Sequence, residues 1–214
     1  METIIIGVLL LASVIGLTFI IERGLALRLT KVIPPAVLGA LDACRATEDL
    51  PMLRNICQQH PAALSRLLML ADKNRHWSRE DNASALETSA RQEVSRLERG
   101  LVVLEIIVGV GPLLGLVGTI YGIMAVFAGM GGTAVGEGAT TMLSSGIALA
   151  LRATFLGLVT AIPSLIAWNY YNRKVESLAV EMAAICDSFL HQIYHAEEEV
   201  SQVPLKPAAS RGRA

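Results

Sequence analysis

Thr119, Thr154, Glu105 and Arg152 stand in or beside long charge-free stretches of the chain. Each threonine has a helical stripe of small residues next to it. Gly111, Gly115, Gly118 and Gly122 recur at steps of four, three and four, which at about 100° per residue puts them on one face. Gly146, Ala150, Ala153, Gly157, Ala161 and Ser164 form an equivalent stripe. Thr119 lies about 80° around its helix from Gly111, and Thr154 about 80° from Gly146. Glu105 precedes Thr119 by two heptads and shares its face within about 40°, with Pro112 between them. A hydroxyl both donates and accepts, so matched threonines with a carboxylate below one of them suit a hydrated path that passes protons. A lone threonine in a membrane helix more often bonds back to the carbonyl four residues earlier. The small stripes themselves fit close helix packing in lipid. Arg152 and Thr160 are further polar residues on the second of these stretches, without an assigned role.

These residues need helices in a membrane to position them. Thr3 to Ile21 is 19 residues without a charge, Ile106 to Phe127 is 22, and Ala153 to Tyr171 is 19. About 20 apolar residues span a bilayer core as helix. No basic residue precedes the first run and no small-residue cleavage site follows it, so it reads as a retained span and not a signal peptide. Between Glu22 and Gly100 lie 12 of the 18 Lys and Arg residues, five more follow Tyr171, and none falls between Ala128 and Ser145. The positive-inside rule then places the long segment and the tail in the cytoplasm, with the N-terminus outside. Trp168, Tyr170 and Tyr171, ahead of Arg173 and Lys174, form an aromatic anchor at the inner interface. Snorkelling accounts for Glu105 near the inner end of its span and Arg152 near the outer end of its own. The alternative puts Glu105 at the mouth of a proton path and Arg152 on a helix contact or partner interface.

The expected class is an all-α membrane protein with three transmembrane helices, N-out and C-in. Residues 1–21 form the first span and 22–100 a cytoplasmic helical segment. Residues 101–130 form the second span, 131–145 a short periplasmic link and 146–171 the third span. Residues 172–214 form a cytoplasmic helix and a disordered tail. Ser78 to Gly100 is expected to run as helix without a break into span two. Net charge is −1 and charged residues are 17% of the chain. That argues against a nucleic-acid binder. The 53% hydrophobic content excludes a disordered chain. Three cysteines are too few for a disulfide scaffold, and Cys44, Cys57 and Cys186 all fall on the side where thiols stay reduced.

Other constellations carry less. His191 and His195 stand four apart with Glu198 beyond; a solvated helix face explains them better than a metal. The glycine-rich Gly129–Gly132 and Gly136–Gly138 lack the Gly-Lys-Ser/Thr that a phosphate loop needs, and read as a flexible external turn. Neither a nucleophile with its base nor a cofactor site is supported, so no enzyme, metal or cofactor is expected.

The run Gly111-Pro112-Leu113-Leu114-Gly115-Leu116-Val117-Gly118-Thr119-Ile120-Tyr121-Gly122-Ile123-Met124 resembles the second-span signature of the ExbB/TolQ/MotA proton-channel family. The stretch from Ile147 through Arg152-Ala153-Thr154 and Gly157 to Pro163, ending at Asn169-Tyr170-Tyr171, resembles the third-span signature. Glu22-Arg23 after span one also fits. The resemblance implies an ExbB- or TolQ-like subunit of a homopentamer in the bacterial inner membrane. It implies a single-span ExbD- or TolR-like partner with a membrane aspartate in the central pore, and a TonB- or TolA-like protein driven by the proton flow. Thr119 and Thr154 match the family's pore threonines by position. The small stripes would pack the pentamer in lipid. Three spans and 214 residues fit a flagellar MotA-type stator less well. The family commonly has an acidic residue where Leu149 stands here. Either the partner supplies that polarity or the chain belongs to a divergent branch. The other class of function is a non-conducting membrane scaffold, in which the glycine stripe matters and the threonines do not.

Overall fold

The computed structural model describes residues 2–44, 49–130 and 137–202. The expected flexible turn around residues 131–136 and the disordered tail from 203 lie outside the described residues. Among the described residues every regular element is an α-helix: α1 Glu2–Ala26, α2 Leu29–Val32, α3 Pro35–Ala43, α4 Leu50–Gln59, α5 Ala63–Lys73, α6 Arg79–Glu98, α7 Leu101–Met130 and α8 Glu137–Gln202. Three segments are long and apolar enough to cross a membrane: Ile4–Ala26, Leu101–Ala128 and Ser144–His195. The protein is an all-α membrane protein.

The chain divides into two units. Residues 1–28 and 96–176 make the first, built from α1, α7, the end of α6 and the first part of α8. α1 packs against α7. The buried positions of this unit are mostly small or aliphatic: Leu9, Leu104, Ile107, Ala150, Ala153 and Ala161. Its large side chains point outward, among them Leu17, Leu113, Phe127, Phe155 and Ile166. That is the reverse of a water-soluble bundle, and it suits helices whose outer neighbours are apolar. Pro112 and Pro163 sit inside α7 and α8, as membrane helices allow when neighbouring groups satisfy the freed carbonyls.

The second unit comprises residues 29–95 and the chain from Ser177 onward. Prolines open its helices: Pro35 begins α3 and Pro51 stands in the first turn of α4, where the missing N–H is not needed. Val37, Leu53, Leu64, Leu67, Met182 and Phe189 are among its buried side chains. Polar groups are buried with them. Asn82 is fully buried and its Nδ2 donates to the Ala71 carbonyl at 3.0 Å and to the Tyr194 hydroxyl at 3.1 Å. Asp72 takes Arg54 at 2.5 Å, and Glu93 takes Arg66 at 2.5 Å. Cys44, Cys57 and Cys186 are buried and form no disulfide.

Three boundaries differ from the expectation. The first helix runs to Ala26 instead of ending at residue 21, because nothing in Glu22–Ala26 breaks a helix before Arg28. The helix before span two does break: α6 ends at Glu98 and α7 begins at Leu101, with Gly100 at the joint. α8 begins at Glu137, so residues 137–145 of the expected link are helical. They hold no proline. α8 then runs 66 residues in one helix.

Candidate functional site

The site lies where the small faces of α7 and α8 meet, within the first unit. Its geometry follows from what a side chain at each glycine would strike. A methyl at Gly111 would lie 3.3 Å from the Gly157 carbonyl oxygen and 3.5 Å from Ala161 Cβ. At Gly115 it would lie 2.9 Å from the Thr154 Cα, and at Gly122 2.9 Å from Ala150 Cβ. At Gly118 it would lie 2.5 Å from Ala153 Cβ and 3.6 Å from Ile5 of α1. The partners step backwards along α8 as the glycines step forwards along α7, so the two helices are antiparallel. Within this chain the two stripes face each other. Backbones approach closely because no Cβ stands between them.

Thr154 is half-buried at this contact. Its hydroxyl donates to the Gly115 carbonyl at 3.2 Å. In the α-helical ladder that carbonyl faces the amide of Thr119. Thr119 is one turn along α7, half-buried, and its hydroxyl donates to the Leu116 carbonyl at 2.7 Å. Thr154 thus bonds to α7 one turn before Thr119, whose own hydroxyl bonds back within α7. Each hydroxyl proton is directed at a carbonyl, which leaves oxygen lone pairs as acceptors.

The structure does not bring the charged candidates to this point. Glu105 is exposed on α7, about 21 Å of helix before Thr119. Arg152 is exposed on α8 beside the contact made by Ala153. Thr160 is buried and bonds back to the Leu156 carbonyl at 2.9 Å, the ordinary use of a threonine in a helix. Leu149 lies in α8; its side chain lies outside the described residues. Ser164, counted in the small stripe of α8, turns to α1 instead: a methyl at Gly16 would lie 3.2 Å from its oxygen. α1 therefore has a small-residue contact of its own, which the spacing of Gly16 and Gly24 on one face signals in the sequence.

His191 and His195 stack with ring centroids 5.3 Å apart. Among the described residues no three His, Cys, Asp or Glu side chains gather in a way that would hold a metal.

The model of the MotA/TolQ/ExbB proton channel family matches residues 53–184. The chain is 35% identical over 204 residues to an ExbB-like biopolymer transport protein of Synechocystis, covering 93% of this chain and 77% of that protein. It is 43% identical over 83 residues to the biopolymer transport protein ExbB of Helicobacter pylori, covering 39% of this chain and 56% of that one. It is 33% identical over 120 residues to the Tol-Pal system protein TolQ of Pseudomonas aeruginosa, covering 55% and 51%. The matches thus span only about half of the latter two proteins. The reach of the family model and of the first relative is sufficient: this chain belongs to the MotA/TolQ/ExbB proton channel family.

Proposed function

We propose that the protein is an inner-membrane subunit of a motor driven by the proton-motive force, working with an ExbD/TolR-like single-span partner to energise a TonB- or Tol-type envelope process. Protons pass beside Thr119 and Thr154. The observation that carries this reading is the Thr154 hydroxyl reaching the Gly115 carbonyl of α7, one turn before Thr119, on helices held close by glycine and alanine. Neither the Thr119 nor the Thr154 hydroxyl has a carboxylate as its partner here, and none of the three spans carries one near its middle. The acid that carries the proton at mid-membrane then comes from the partner, through an aspartate facing the threonines. The N-terminus lies outside, residues 22–100 and the chain after 171 lie in the cytoplasm, and the subunits form a homopentamer. Glu105 stands towards the cytoplasmic mouth of the path.

Native mass spectrometry of the protein purified in detergent with the single-span protein from the neighbouring gene tests the architecture. Five copies of this chain with two of the partner are expected. A monomer, or an assembly that excludes any acid-bearing partner, would contradict the proposal.

A second reading has an observation in its favour. Both threonine hydroxyls donate to backbone carbonyls, which a scaffold that conducts nothing would also use. Under it, valine at both positions leaves function intact and only the glycine contacts matter.

A further inference from the structure

α1 is attached to its unit by little apolar surface. Only 11% of its spanning window is buried, and lipid supplies no hydrophobic drive for helices to associate. Its C-terminal end makes polar contacts of another kind. Tyr171 of α8 is buried, and its hydroxyl donates to the Ile20 carbonyl at 2.7 Å. Gly24 lies one turn on, beneath the phenol: a methyl there would be 2.9 Å from the Tyr171 oxygen. The next side chain back, Arg23, turns towards the joint between α6 and α7. Its Nη1 donates to the Leu97 carbonyl at 3.4 Å. Leu97 is in the last turn of α6, where carbonyls lack helical partners and a cation is favoured. The guanidinium lies across Gly100, where any Cβ would overlap it. Glu22 holds its other edge at 3.0 Å. Neither glycine has a positive φ, so each serves by lacking a side chain.

We propose that the turn Ile20–Gly24 is a clasp. Tyr171 and Arg23 act as positioning residues that pin α1 to α8 and to the α6–α7 joint, so that the three long helices move as one body at this end. Gly24 admits the phenol and Gly100 admits the guanidinium. The attachments are independent of each other, yet both fall within one turn of α1. The clasp rests on the motor reading only for what the locked body transmits; its existence does not depend on it.

The test is hydrogen–deuterium exchange with mass spectrometry on the full-length protein in lipid nanodiscs, for wild type, Tyr171→Phe, Arg23→Met, Arg23→Lys and Gly100→Ala. Tyr171→Phe removes one oxygen and keeps the packing. It is expected to speed exchange at residues 20–27 at least tenfold and to leave 97–102 unchanged. Arg23→Met and Gly100→Ala are expected to speed exchange at 97–102, and the double variant no further than either alone, since both break one contact. Arg23→Lys behaves like Arg23→Met, because an ammonium cannot lie flat over Gly100. Unchanged exchange at 20–27 in Tyr171→Phe, or additive effects of Arg23→Met and Gly100→Ala, would overturn the clasp. If wild-type protein with its partner moves no protons, the motor reading fails while the exchange result still decides the clasp.

Discussion

Thr154 of α8 donates its hydroxyl to the carbonyl oxygen of Gly115 in α7 at 3.2 Å, across a contact that leaves no room for a side chain on Gly115. One residue pair thus joins the packing role of the glycine stripe to the polar role of the threonine. The two roles separate by substitution, because the packing depends on volume and the path on oxygen.

Gly115→Ala should be costly where Gly109→Ala is not. The added methyl at Gly115 would lie 2.9 Å from the backbone of Thr154, whereas at Gly109 nothing stands within 4 Å. Overpacking of this kind costs about 1–3 kcal/mol. Thr154→Val removes one interhelical hydrogen bond, worth about 0.6 kcal/mol in membrane proteins. Unfolding in bicelles should rank Gly115→Ala well below Thr154→Val, with Gly109→Ala at or above wild type. Equal stability of the two glycine variants would contradict the close contact.

In the second unit, Asp72 depends on Arg54. Its Oδ2 accepts from Nε at 3.0 Å and Nη2 at 2.5 Å, while its Oδ1 has no partner among the described residues. The carboxylate side chain is 6% exposed, the arginine 54%. Arg54→Ala leaves the buried acid without that pairing and should cost about 1.5–3 kcal/mol. Adding Asp72→Asn to Arg54→Ala should recover part of the loss. A denaturant series on the four variants measures the coupling, and strict additivity would show that the pair contributes nothing.

Burial pushes the Cys57 thiol up to about 11, with Ser65 pulling it down and Asp72 adding to the rise; burial alone pushes Cys186 up to about 12. Both folded values exceed the ordinary 9.0. The folded state therefore favours the neutral thiol. This stabilisation is fully present below pH 9 and is lost as pH rises through 11 to 12. Two results are expected: alkylation at pH 8 far slower in native protein than in denaturant, and a Cys57→Ala/Cys186→Ala variant that loses less stability between pH 9 and 11 than wild type does. Fast native alkylation at pH 8 would contradict the burial of these thiols.

The membrane helices were legible in the sequence because charge-free runs and small-residue stripes are local patterns. Gly111 to Gly122 and Ala150 to Ala161 could be read as two faces, but which partner each face meets is not a local property. A glycine stripe packs equally well within a subunit or between subunits, and the pairing of Gly111 with Gly157 and of Gly122 with Ala150 inside this chain is seen only in three dimensions. The break before α7 was hidden for a related reason. Arg96, Leu97 and Glu98 are good helix formers, and the residue that lies against the joint at Gly100 is Arg23, some 70 residues earlier. Tyr171 read as an interfacial anchor from its neighbours, whereas its hydroxyl is spent on the Ile20 carbonyl. The start of α8 at Glu137 was missed because a lack of Lys and Arg marks a side of the membrane and says nothing of helix.

Proton flux tests the central claim most directly. The protein, reconstituted in liposomes with its single-span partner, would be compared with Thr119→Ala/Thr154→Ala and Thr119→Val/Thr154→Val under an imposed pH gradient, each variant first checked for intact assembly. Loss of proton-driven flux in both variants, with assembly unchanged, is the predicted result. Wild-type flux in either assembled variant would show that protons do not pass beside Thr119 and Thr154.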